Sequence, residues 1–209
     1  MGPDHKPTTM IKRLAALLVL ALGLAGAGEA AGESPEQVIG RLNEALLATM
    51  RAASQGLDYQ DRFERLAPVL EETFAFPAMT RLAVGPGWRE IAPERRGAIE
   101  ALFREMSIAN FAARFDGYDG ERFEVLGSEA GPRDAVLVKS RIVRPDEPPV
   151  GLDYLLRESE GDWRIIDVFL DSKFSELARQ RAEFAAVLRS GGAEELISTL
   201  ERKIVELAG

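Results

Sequence analysis

GDWRIIDVFLD, residues 161–171, is the stretch on which the fold turns. Between the turn residues Gly161 and Asp162 and the closing Asp171, the chain is apolar at alternate positions of both sets: Trp163, Ile165, Ile166, Val168, Phe169 and Leu170. A run of this length, rich in β-branched and aromatic residues, predicts a strand rather than a helix. Because both of its faces are apolar, both are expected to be covered. Asp167 interrupts the run. A carboxylate there needs a partner, since burying an uncompensated charge is costly.

Three further strands are expected upstream, over residues 122–127, 135–143 and 150–157, with the last at 163–170. In the second, Val136, Val138, Ser140 and Ile142 face one way and Lys139 and Arg141 the other. In the third, Leu152, Tyr154 and Leu156 oppose Asp153 and Arg157. One apolar and one wet face is the pattern of an antiparallel sheet. The connections GSEAGPRD, RPDEPP and ESEGD are short and polar, so the strands are expected to run as a meander.

Outside this block the apolar period is helical. Ser34, Pro35 and Gln37 form an N-terminal capping signature ahead of a helix carrying Val38, Leu42 and Leu46. A second helix is expected from Asp58 to about Phe74, a short one from Pro77 to Leu82, and a long one from Pro93 to Phe115. After the strands, Phe174, Leu177, Arg181, Phe184 and Leu188 make a seam at helical spacing. Gly191-Gly192 ends that helix, and Leu196, Leu200, Ile204 and Leu207 line a final one. The fold class is α+β, an antiparallel sheet of about four strands with helices on its apolar side.

The chain begins differently. Lys12 and Arg13 precede the apolar stretch Leu14–Gly28, and small residues follow. This is the pattern of a secretory signal peptide, residues 1–30, cleaved before Ala31. It leaves 31–209 as one exported domain. The whole chain carries 26 Lys and Arg against 34 Asp and Glu, a balance that opposes nucleic-acid binding. It has no Cys, and its one His, His5, lies in the segment expected to be removed. Histidine- and cysteine-based catalysis and the usual zinc, copper and haem ligands are thereby excluded, and no metal or other cofactor is expected.

Two polar side chains fall where the patterns predict burial, Asp167 in the strand and Arg181 in the helical seam. They are expected to pair, with Arg181 alternatively binding an anionic headgroup. An enzymatic alternative takes Asp167 as general base and Tyr154 as hydrogen-bond donor, acting on a hydrophobic, terpenoid-like substrate.

The runs LAPVLEETFAFPAMTRLAVGPGW, FAARFDGYDGERFEV and LDYLLRESEGDWRIIDVFLDSKFSELARQRAEFAAVLRSGGAEELISTLERK resemble the MlaC-like "toluene tolerance" family, periplasmic lipid-binding components of ABC-type transport systems. The similarity spans about residues 35–205 and is most specific in W-x-I-x-D-V followed by S-E-L-x-x-x-R-x-E-F. Its details are nearest the hopanoid-associated HpnM branch. The resemblance implies a curved, NTF2-like sheet wrapped by helices around an apolar cavity. It implies no catalysis, but a periplasmic shuttle carrying phospholipid or hopanoid between inner- and outer-membrane complexes; the protein is expected to be a monomer. On that reading the cavity is lined by Leu66, Leu70, Phe74, Met79, Phe103, Met106 and Phe111 from the helices before the sheet. Val138, Ile142, Leu152, Tyr154, Leu156, Ile166 and Val168 from the sheet, and Phe184 after it, complete the lining.

Overall fold

The structure, a computed structural model, describes residues 32–209; the expected signal segment lies outside them. Five helices surround one five-stranded sheet. The chain runs α1 (Pro35–Ala53), α2 (Tyr59–Thr73), α3 (Phe76–Val84), a 3-10 turn (Gly85–Glu90), α4 (Pro93–Arg114), β1 (Arg122–Ala130), β2 (Val136–Arg144), β3 (Glu147–Ser159), β4 (Asp162–Leu170), β5 (Phe174–Ser175) and α5 (Glu176–Ala208).

Local chemistry sets the helix ends. Ser34 Oγ accepts from the Gln37 N–H, and the Ser34 N–H donates to Gln37 Oε1 at 2.7 Å, a closed capping box. Asp58 caps α2 by accepting from the Asp61 N–H at 2.9 Å. The Arg62 guanidinium ties α2 to α4 by donating to the carbonyls of Ala112 and Leu57, each at 2.9 Å.

Gly191 and Gly192 fold α5 back on itself. A Cβ on Gly191 would lie 2.6 Å from Glu195 Cβ, and Gly192 has φ of 68°, a left-handed conformation that favours glycine. In a straight helix Glu183 and Lys203 would stand about 30 Å apart at 1.5 Å per residue. Instead their charged groups meet at 2.6 Å, so the two halves of α5 lie side by side.

The strands pair antiparallel in the order β1-β2-β3-β4-β5. The meander matches the expected one, and β5 is an addition of two residues. Register shifts at Val125/Gly127, Ile142/Arg144 and Leu155/Leu156 bend the sheet. Beside the central irregularity, Asp153 is buried and accepts from the Ser140 N–H at 3.1 Å, where a ladder bond is missing. The free edge of β4 is covered at two places. The Ala75 N–H donates to the Ile165 carbonyl at 2.9 Å, and β5 pairs with Phe169 and Leu170. Asp167 lies between them.

One apolar core joins helices and sheet. Ile39, Leu42 and Leu46 of α1, Leu66 and Leu70 of α2, and Ile99 and Phe103 of α4 are fully buried. They pack with Val138, Tyr154, Leu156 and Ile165 of the sheet and Leu196 and Leu200 of α5. Phe103 meets Phe184 edge-on at 6.2 Å, which fixes α4 against α5.

Candidate functional site

The core does not fill the space beneath the whole sheet. Where α4 ends and α5 begins, a cavity of about 300 Å³ opens between helices and strands. Phe74 at the end of α2, Phe76 and Met79 of α3, Phe111 of α4 and Phe115 at its C-terminal cap form one wall. Ile142, Val150, Leu152, Val168 and Leu170 of the sheet form the other, and Leu177 of α5 closes the side. The sheet residues are consecutive cross-strand partners, Ile142 with Val150 and Leu152 with Leu170, so they share a face.

The aromatic wall is continuous. Phe76 stacks on Phe74 at 5.5 Å, Phe74 meets Phe111 edge-on at 5.5 Å, Phe111 stacks on Phe115 at 5.7 Å, and Phe115 leans on Phe123 at 6.1 Å. Rings locked to one another keep a cavity open where single side chains would collapse into it.

Polar groups are few. Ser107 Oγ–H and Asn110 Nδ2–H, one helical turn apart on α4, donate to their own helix at Phe103 O (2.7 Å) and Met106 O (3.0 Å). Arg114 and Glu176 line the cavity where the C-terminal end of α4 approaches the N-terminal end of α5. Glu176 is held by Arg179, whereas Arg114 makes no ion pair among the described residues. Phe174 stands opposite Leu170 in the β4–β5 pairing, on the same sheet face as that lining residue, yet is 67% exposed.

Asp167 reaches the cavity wall and is 8% exposed. Its carboxylate accepts from Ser175 Oγ–H at 2.6 Å, the Val168 N–H at 2.8 Å and the Leu177 N–H at 3.1 Å. Burial pushes its pKa above the ordinary value, while the bonds from Ser175, Leu177 and Val168 oppose that shift. Its role is to clip the first turn of α5, a helix N-terminus that favours negative charge, to the edge of β4.

The expected Asp167–Arg181 pair does not form. Arg181 is exposed and lies beside Gly85, its Nε 3.5 Å from where a Cβ on that glycine would stand. The buried member of the seam is its neighbour Gln180, because Leu177 and Phe184 are bridged equally well by a residue at either helical spacing.

Six expected lining residues do line the cavity: Phe74, Met79, Phe111, Ile142, Leu152 and Val168. Leu66, Leu70, Phe103, Val138, Tyr154 and Leu156 do not; they are sealed in the packed core, where helices α1 and α2 reach the sheet. Ile166 is the extra residue at the β3–β4 register shift and is buried away from the cavity. Met106 and Phe184 line a separate pocket of about 160 Å³ between α4 and the two halves of α5. Tyr154, buried with no partner for its hydroxyl, is held neutral by burial and meets Val138 and Val168 rather than Asp167. The acid–phenol arrangement of the enzymatic alternative is therefore not assembled.

Phe76, Phe115, Val150, Leu170 and Leu177 complete the apolar lining, and Ser107, Asn110, Arg114, Glu176 and Gln180 join Asp167 in its polar part. Phe76 and Phe115 are large apolar residues, and nothing in their spacing marks them as cavity lining. The polar residues on the helices gave no signal, being ordinary helix residues. Among the described residues no cluster of acidic or His side chains could hold a metal ion, and no helix is long and apolar enough to cross a membrane.

No curated protein sequence matches this chain. A phospholipid-binding protein from Ralstonia solanacearum, solved in complex with a phospholipid, shares the fold with a TM-score of 0.72 at 22% identity, over 83% of this chain and 98% of that one. The family model of the MlaC protein matches residues 41–202, and the chain belongs to the MlaC family.

Proposed function

We propose that this protein binds a lipid by inserting its apolar part into the cavity between α4, α5 and the sheet, and carries it between membranes. The observation that carries this reading is the preformed, aromatic-walled cavity, in a fold shared with a protein solved holding a phospholipid. A methylene takes about the volume of a water molecule, about 30 Å³. A cavity of 300 Å³ thus accepts roughly ten methylenes, worth about 8 kcal/mol against water at about 0.8 kcal/mol each. A lipid already has that energy in a bilayer, so transfer to the cavity is close to neutral and reversible at a membrane surface.

The ligand is a phospholipid or a hopanoid, the second following from the resemblance to the HpnM branch. Work of this kind belongs to the periplasm, between inner- and outer-membrane transport complexes, and fits the signal-like residues 1–30. The protein acts by binding and release, without catalysis.

The test uses Ile142→Trp, which fills the cavity from the sheet side. Wild-type protein incubated with phosphatidylglycerol vesicles and re-isolated is expected to carry lipid detectable by mass spectrometry after denaturation. Ile142→Trp is expected to fold and to carry at least tenfold less. Empty wild-type protein, or equal loading of the two, sinks the reading.

A further inference from the structure

Gln180 is only 7% exposed, and its Oε1 is buried without a hydrogen-bond partner. A buried, unpaired acceptor is unfavourable, and in native proteins it commonly awaits a group supplied from outside the chain. Its position explains what that group is. Gln180 and Asn110 line both the apolar cavity and the smaller pocket between α4 and the halves of α5, so the two amides stand where the spaces adjoin. On α4, Ser107 Oγ–H is spent on Phe103 O and one of the two Asn110 Nδ2–H donors on Met106 O, and neither residue bonds to Gln180 Oε1.

The charges of the adjoining pocket are also spent on one another. Glu183 binds Lys203 at 2.6 Å and Arg179 at 3.4 Å, and with Glu206 in the same lining the two cations are matched by two carboxylates. What the site lacks is one uncharged hydrogen-bond donor, placed at the end of an apolar body.

We propose that Gln180 is a hydroxyl-recognition site, and that the ligand is a lipid bearing an uncharged hydroxyl whose O–H donates to Gln180 Oε1 while its apolar part fills the cavity. This rests on the lipid-carrier reading and narrows it. The last side-chain torsion of Gln180 is a soft one, which lets the amide adjust to a ligand in the cavity it lines. A lipid that enters hydroxyl-first leaves its chain against the aromatic wall. A lipid whose polar end has no donor leaves Oε1 unpaired, and sites built around a buried polar group discriminate against such analogues.

The experiment compares 1-hexadecanol with its methyl ether, which keeps the chain and the oxygen and loses the donor. Each displaces diphenylhexatriene bound to the full chain. The alcohol is expected to bind about tenfold more tightly than the ether, the advantage of one buried neutral hydrogen bond. Gln180→Met, which removes the orphan acceptor at similar volume, is expected to bring the ratio near one without lowering the melting temperature. Gln180→Glu, which keeps an acceptor, is expected to keep the preference. Equal binding of the two probes to wild type overturns the hydroxyl site and leaves the carrier reading standing. So does a preference that survives in Gln180→Met. Failure of both probes to displace the dye overturns site and carrier together.

Discussion

The two ends of the same sheet face carry the same kind of residue and do opposite things. At one end Val138, Tyr154, Leu156 and Ile165 are sealed beneath α1, α2 and the middle of α4. At the other, Ile142, Val150, Leu152 and Leu170 face open space. Hydrophobicity does not distinguish them. The covering does: α1 and α2 reach the sheet at the first end, whereas at the second only α3, the end of α4 and the start of α5 approach it. Chains of locked rings keep those three from closing in.

The largest effect expected from this contrast is in stability. Leu156→Ala removes a side chain with contacts on all sides and leaves a void, for a loss of about 2–5 kcal/mol. Ile142→Ala removes one whose cavity side already lacks partner atoms, so a loss below about 1.5 kcal/mol is expected. Urea unfolding of both variants checks this. Equal losses would mean that the second end is packed in solution and the contrast is void.

A smaller effect sharpens the boundary between the ends, because Asp167 sits on the hollow side and is held by three bonds. Its folded pKa is raised, chiefly by burial, above an ordinary value near 3.8. The folded state therefore holds this proton more tightly than the unfolded chain. The stability it confers is complete below pH 3.8 and is lost as pH rises through the folded pKa. Asp167→Asn cannot ionise, yet keeps an oxygen to accept from the Leu177 N–H. Relative to the variant, wild type is thus expected to lose ground as pH rises above about 3.8, measured as the difference in urea midpoints. A difference independent of pH, or one changing in the other direction, would show that Asp167 is solvated and that the cavity wall is wet there.

How much of this was legible depends on which physical rule a feature obeys. The meander was readable because the period changes from 3.6 to 2 at Arg122 and back after Leu170, and because polar connections of a few residues allow little but antiparallel pairing. The break at Gly191-Gly192 was readable for the same reason: only glycine suits φ of 68° beside a Cβ-free neighbour. Which end of the apolar face is hollow was not. It follows from the register shifts at Val125/Gly127 and Leu155/Leu156 and from the reach of α1 and α2, and neither leaves a mark in hydrophobic spacing. Val138 and Ile142 read alike in the sequence because they lie on one face of one strand. They differ only in what stands above them.

Gln180 and Arg181 show the same limit on a single helical turn. From Leu177 the next buried position is three or four residues on, and from Phe184 it is four or three back, so spacing admits both. Choosing Arg181 makes it the natural partner of Asp167 and gives its loss a cost of several kcal/mol. In the structure Arg181 is exposed against Gly85, and Asp167 is satisfied by Ser175 and two backbone N–H groups. Arg181→Met then leaves no buried acid alone. The expected change is within about 0.5 kcal/mol, that of a surface substitution, with lipid loading intact. A loss of several kcal/mol would place the guanidinium inside, with Gln180 turned outward. That would remove the polar amide from the cavity and with it the one feature that separates the hollow end from a plain apolar hole.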